Sequence, residues 1–248
     1  MNRNEFFDAL PLTRITLKLT SATLEMCTDD IEEVHVMISG ADGDVRALRV
    51  DVQGNQLVLE QPAISRQKNP IATSWLQVTL RLPRTWKGRI DARTITGWIT
   101  LRHLNASDLT VDSVSGVINA TGLLANTATM RTVTGDIRVA DLVCTKAGFH
   151  TTSGAINVQH TRLYKANLSS ITGTMTLALT EAFEEISATS VIGDLSVEAP
   201  IAACRVQHRS VAGRVNGGSV PQSEEATSAI LFNTVSGSLD IAQPEPTP

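Results

Sequence analysis

The sequence predicts an all-β fold: a single-stranded parallel β-solenoid (β-helix) of about eight coils of 19–20 residues behind an N-terminal β-rich cap. Three observations predict it. A short hydroxyl-rich phrase ends in glycine at 97, 116, 135, 154, 173, 193, 213 and 237, with spacings of 19, 19, 19, 19, 20, 20 and 24 residues. Aliphatic residues recur in fixed columns around that glycine. Ser and Thr supply about a fifth of the 248 residues, and β-branched Thr, Val and Ile favour strands.

Residues 1–88 read as the cap. Within them Ile15, Leu17, Leu19, then Leu24, Met26, then Val34, Val36, Ile38 alternate as half-buried strands do. Leu48, Val50, Val52 and Leu57, Leu59 flank the turn Gly54-Asn55, and Leu76, Val78, Leu80, Leu82 precede Pro83. Such a cap is expected, because a bare solenoid end is a row of unpaired strand edges. Residues 60–74, with Pro62 and Pro70, read as a loop.

Residues 89–242 are the repeats. The phrases are Thr-Ile-Thr-Gly (94–97), Ser-Val-Ser-Gly (113–116), Thr-Val-Thr-Gly (132–135), Thr-Thr-Ser-Gly (151–154), Ser-Ile-Thr-Gly (170–173), Ser-Val-Ile-Gly (190–193), Ser-Val-Ala-Gly (210–213) and Thr-Val-Ser-Gly (234–237). Two positions after each glycine stand Ile99, Ile118, Ile137, Ile156, Met175, Leu195, Val215 and Leu239. Two positions before it stand Ile95, Val114, Val133, Thr152, Ile171, Val191, Val211 and Val235. Counting by twos puts both columns, and the glycine between them, on the inner face. A second apolar pair upstream, such as Ala128 and Met130, is out of phase with that strand, so the chain turns a corner in every unit. Identical units that cannot bury their faces alone then stack into one column. On this count the hydroxyls three before each glycine, Thr94 through Thr234, and those one before it, Thr96, Ser115, Thr134, Ser153, Thr172 and Ser236, are exposed at the corner. Residues 218–229 hold the extra length of the last coil and read as a protruding loop or short helix. Residues 243–248 form a Pro-rich tail.

Composition narrows the function. A net charge of −4 argues against a nucleic-acid groove, and 4% aromatic residues give few stacking platforms. Cys27, Cys144 and Cys204 lack CxxC spacing, and His35, His103, His150, His160 and His208 form no ligand motif, so neither a metal site nor a cofactor is expected. Asp136 and Asp194 share an outward column but lie three coils apart, too far for paired carboxylates. Arg93, Asp112, Arg131 and His150 form an outward charge column, read as a stabilising ladder. Trp98 faces outward and is expected to pack on the cap near Trp86.

The repeat resembles a bacterial family known as "putative adhesin", a domain of unknown function built from reiterated Ser-Val-Ser-Gly-Asp-Ile-type units. The eight phrases carry the resemblance, with Asp136 and Asp194 after their glycines. Leu82-Pro83 followed by Asp91-Ala92-Arg93-Thr94-Ile95-Thr96-Gly97 extends it. It covers nearly the whole chain, implies the solenoid and a role in adhesion at the cell surface, and brings no catalytic residues. The expectation is a non-enzymatic binding or scaffold protein that presents an extended Ser/Thr-rich surface to a protein or glycan partner. The alternatives are a polysaccharide-acting enzyme of the cell envelope and an intracellular interaction scaffold. The N-terminal Met1 to Phe7 has no apolar signal region and no 18-residue apolar run exists, which points to a cytoplasmic location without a membrane span. A C-terminal coil without a cap would allow a homodimer through that end.

Overall fold

A computed structural model describes residues 1–62, 76–218 and 220–244. The chain opens with β1 (Asn2–Asp8), β2 (Arg14–Ser21), β3 (Thr23–Asp29), β4 (Glu33–Gly40), the helix α1 (Asp42–Ala47), β5 (Arg49–Gln53), β6 (Gln56–Glu60) and β7 (Leu76–Pro83). The repeats follow as β8 (Arg89–Thr96), β9 (Ile99–Arg102), β10 (Asn105–Ser115), β11 (Ile118–Thr134), β12 (Ile137–Ser153), β13 (Ile156–Ser169), β14 (Met175–Leu179), β15 (Glu185–Thr189) and β16 (Leu195–Glu198). The last four are β17 (Arg205–Arg209), β18 (Val215–Asn216), β19 (Ala229–Asn233) and β20 (Leu239–Ala242). Together they form an all-β molecule with one long, mostly parallel sheet.

The repeat sets the register. Ile118 pairs with Ile137 and Ile137 with Ile156, each one period apart. Ile99, Ile118, Ile137, Met175, Leu195 and Leu239 are fully buried. Upstream of the glycine, Ile90, Ala92, Val111, Ala128, Met130, Phe149 and Leu168 fill the same core. Each of these rungs therefore buries aliphatic carbon on the rungs above and below it, at about 25 cal/mol per Å².

Rungs bend more than once. In β11 the inward residues are Ile118 and Ala120, then Leu123 and Ala125, then Ala128, Met130 and Thr132, so the phase shifts twice inside one strand. The first shift sits at a left-handed residue six positions after the corner glycine. His103, Gly122, Asp141 and His160 occupy it with φ of 53°, 67°, 54° and 49°. Asp and His are among the few side chains that tolerate this region.

Stacking departs from chain order at both ends. β2 lies between β6 and β8, with Ile15 paired to both Leu57 and Ile90. β3 lies between β7 and β9, with Leu24 paired to Val78 and Ile99. The parallel stack thus reaches back into the segment read as cap. What covers its end is antiparallel: β5 on β6, β4 on β7 and β1 on β4. At the other end β19 inserts between β15 and β17, and β20 between β16 and β18. The final repeat is interior and the one before it is terminal.

The contents of the rungs explain this order. The inserted rung brings Ile230, Phe232, Leu239 and Ile241, whereas the terminal one offers Val206, His208, Val215 and Gly217. Burying the first set and leaving the second at the end removes more apolar surface from water. The 24-residue spacing before Gly237 supplies the chain for the return. Within the interval 218–229, residues 220–228 are irregular rather than helical and are anchored: Val220 is buried, and Ser228 Oγ donates to the Phe183 carbonyl at 2.6 Å. Most of the stretch 60–74, and residues 245–248 of the tail, lie outside the described residues.

Candidate functional site

The corner differs from the arithmetic of alternation. The hydroxyls three before the glycine are buried: Thr94, Ser113, Thr132, Thr151, Ser170 and Ser190 all point inward. The aliphatic residues two before it, expected inside, are exposed; Val133 is 45% and Ile171 49% accessible. The reason is where the phase flips. Counting by twos through the glycine assumed a straight strand, but both residues before the glycine are exposed and the first four of these strands break at the glycine and the residue after it, so the phase flips at the corner. Short Ser and Thr fit the tight inside of that corner. Thr132 and Thr151 hydroxyls donate to the carbonyls of Gly116 and Gly135, at 3.3 and 3.2 Å. The Oγ atoms of Ser113, Ser170 and Ser190 have no protein partner.

The glycine itself faces along the stack and not into the core. A Cβ on Gly135 would lie closer than 3.0 Å to the Gly116 carbonyl oxygen, and the same holds from Gly97 to Gly237. Gly135 also has φ +148°, which side chains rarely adopt. Corner hydrogen bonds run up this column. Gly116 N–H donates to Thr134 O at 3.1 Å, Gly193 N–H to Ser236 O at 3.0 Å, and Gly237 N–H to Ala212 O at 3.0 Å.

Outside each corner stand Ile95, Val114, Val133, Thr152, Ile171, Val191, Val235 and Val211, in stacking order. Eight positions make seven steps, so this aliphatic ridge runs roughly 34 Å at about 4.8 Å per strand. Beside it lies a groove of ≈ 530 Å³. Val133, Thr152, Ile171 and Val191 form one wall, and Asp112, Arg131, His150, Ser169 and Thr189 the other. Buried hydroxyls make the floor. The charged wall is the ladder expected from the sequence: Arg93 Nε lies 3.2 Å from Asp112, and Arg131 4.0 Å from it. His150 is bound instead to Ser169 Oγ at 2.8 Å. Burial, and then the Arg131 charge, hold its pKa below the usual histidine value.

The carboxylates after the corner glycines are engaged in structural contacts. Asp136 accepts from Ala155 N–H at 3.0 Å and from Arg138 at 2.7 Å, and Asp194 accepts from Ser238 N–H at 2.7 Å. Each caps the corner of the next stacked rung, so the residue after the glycine does a structural job. Burial pushes the Cys144 and Cys204 thiols up to about 11, away from the nucleophilic thiolate. Among the described residues no three His, Cys, Asp or Glu side chains converge to hold a metal. No described helix is long and apolar enough to cross a membrane. Trp98, expected against the cap, is 63% exposed, while Trp86 is buried and donates to the Leu12 carbonyl at 2.7 Å. Sequence reasoning found the hydroxyl and charge columns but missed the ridge, because in hydropathy Ile and Val at that position look like core.

Comparison with known proteins agrees with this architecture. The model of the Toastrack DUF4097 family matches residues 12–242. Among solved structures, a "putative adhesin" from Bacteroides fragilis NCTC 9343 is similar at TM-score 0.62 and 16% identity, over 98% of this chain and 97% of that one. A "putative adhesin" from Parabacteroides distasonis ATCC 8503 is similar at TM-score 0.61 and 11% identity, over 98% and 97%. At such identities the likeness is one of fold. No curated protein matches the chain.

Proposed function

Starting from the premise that this chain belongs to the Toastrack DUF4097 family, we propose that it is a non-enzymatic, adhesin-like binding or scaffold protein. In this reading the bent parallel sheet winds as a single-stranded β-solenoid of about eight coils and presents its corner ridge and groove to a protein partner. The observation that carries the reading is the ridge itself. Isolated exposed aliphatic residues are ordinary, but a contiguous row along a rigid sheet marks a contact surface. The row is aliphatic except for Thr152 and has no aromatic ring, which favours apolar protein contact over sugar stacking. The adhesin names of the two similar structures point the same way. Asp136 and Asp194 are engaged with backbone, which weighs against the carbohydrate-cleaving alternative.

Affinity capture from source cells with the wild type and with a Val133→Lys/Ile171→Lys variant, read by mass spectrometry beside a glycan array, tests this. The expected result is a captured protein lost in the variant, whose thermal melt is unchanged. Equal capture by both, glycan binding alone, or turnover of a polysaccharide would overturn it.

A further inference from the structure

The two ends of the stack are finished differently. At the β6–β7 end the antiparallel strands and α1 leave Leu57, Leu59, Val78 and Leu80 fully buried. At the other end β17 and β18 are outermost, and Val206, His208 and Val215 remain half-exposed. The His208 ring stacks on Phe232 at 5.4 Å, and its Nε2 has no partner. Arg205 N–H donates to Ser228 O at 2.9 Å, and Thr234 N–H to Arg209 O at 2.9 Å, so these residues turn their backbone toward β19. Alternation along a parallel strand then aims the N–H and C=O of Val206 and His208 away from the sheet. Among the described residues, the only pairing on that outer side is one parallel bridge, Cys204 to Gln222, just before β17. The edge is paired there by a single residue of this chain and is open beyond it.

Charge identifies the occupant. Arg205, Arg209 and Arg214 are exposed at this end, and among the described residues none forms an ion pair. A second copy joined edge to edge would set these guanidiniums against one another, and like charges on neighbouring strands are unfavourable. We propose that the outer edge of β17 is a second docking site, for an extended acidic segment of a partner protein that adds one strand to the sheet. Its apolar residues would cover Val206 and His208, and its alternate acidic residues would sit beside Arg205 and Arg209. The recognised pattern is thus acidic–apolar alternation in an extended polypeptide. The site is separate from the lateral ridge.

Fluorescence anisotropy with labelled peptides alternating Glu and Val, or Lys and Val, tests the assignment on the full chain. The Glu peptide binds the wild type and weakens as salt rises. Arg205→Glu/Arg209→Glu weakens the Glu peptide by roughly tenfold or more and strengthens the Lys peptide, a gain that an unfolded variant could not show. His208→Pro removes an outward N–H that the sheet does not use, and also weakens the Glu peptide. Val133→Lys/Ile171→Lys leaves the affinity unchanged, which separates this site from the ridge. Equal affinity for both peptides, no binding of the Glu peptide, or a self-associated dimer broken by Arg205→Glu/Arg209→Glu would each overturn the proposal.

Discussion

At the scale of single residues, the corner is decided by what has no room. Gly135→Ala places a methyl against the Gly116 carbonyl and forces a side chain into a glycine conformation. Crowding and backbone strain together predict a loss of about 3 kcal/mol in urea unfolding. Asp136→Ala strips the cap from the Ala155 N–H and should cost about 1 kcal/mol by the same measurement. His150 supplies a pH signature. Its folded pKa is lowered, so the unfolded chain binds its proton more readily and folding loses stability as pH falls below about 6.5. His150→Gln should flatten the melting temperature across that interval, and an unchanged slope would remove the assignment. These roles were only partly legible. The repeated Gly and the Asp after it were plain in the sequence, but not the direction each one faces, because that depends on the backbone at the corner.

At the scale of elements, position in the stack outweighs position in the chain. Ile230 is fully buried between Ile186 and Val206, whereas Val206 is half-exposed on the terminal strand. Ile230→Ala should therefore cost about 2–5 kcal/mol in equilibrium unfolding, and Val206→Ala far less. Stacking in chain order would reverse that ranking, with β17 interior and β19 at the end. The same logic explains the N-terminal strands. The alternation of Ile15, Leu17, Leu24 and Met26 was visible, but not that β2 and β3 take their place between β6–β7 and β8–β9. Pairing partners separated by several other strands leave no mark on local periodicity.

At the scale of the molecule, one end is closed, the other presents an edge, and a ridge runs along the flank from β8 to that edge. The closed end is fastened near its start by Asp91, which receives Arg14 at 2.6 Å and Arg89 at 3.2 Å. Burial alone would raise this carboxyl, but hydrogen bonds from Arg89 and Arg14 outweigh it and hold it below the usual carboxylate range. A depressed folded pKa gives stability that is present above the unfolded value, about 3.9, and is lost as pH falls through the lower folded value. Asp91→Asn should therefore be less stable at neutral pH and show a shallower acid limb in circular-dichroism melts. The groove was not legible as a groove. Its charged wall and hydroxyl floor were read as separate columns, since only the bend at the corner sets them side by side with the ridge.

What the sequence determined alone is the period, the parallel register and the aliphatic filling, because each follows from which residues recur at a fixed separation. Tertiary structure decided which face of the corner meets water and which rungs stand last. Those choices rest on a turn that breaks the alternation, and on rungs competing for interior places by the apolar surface they can bury.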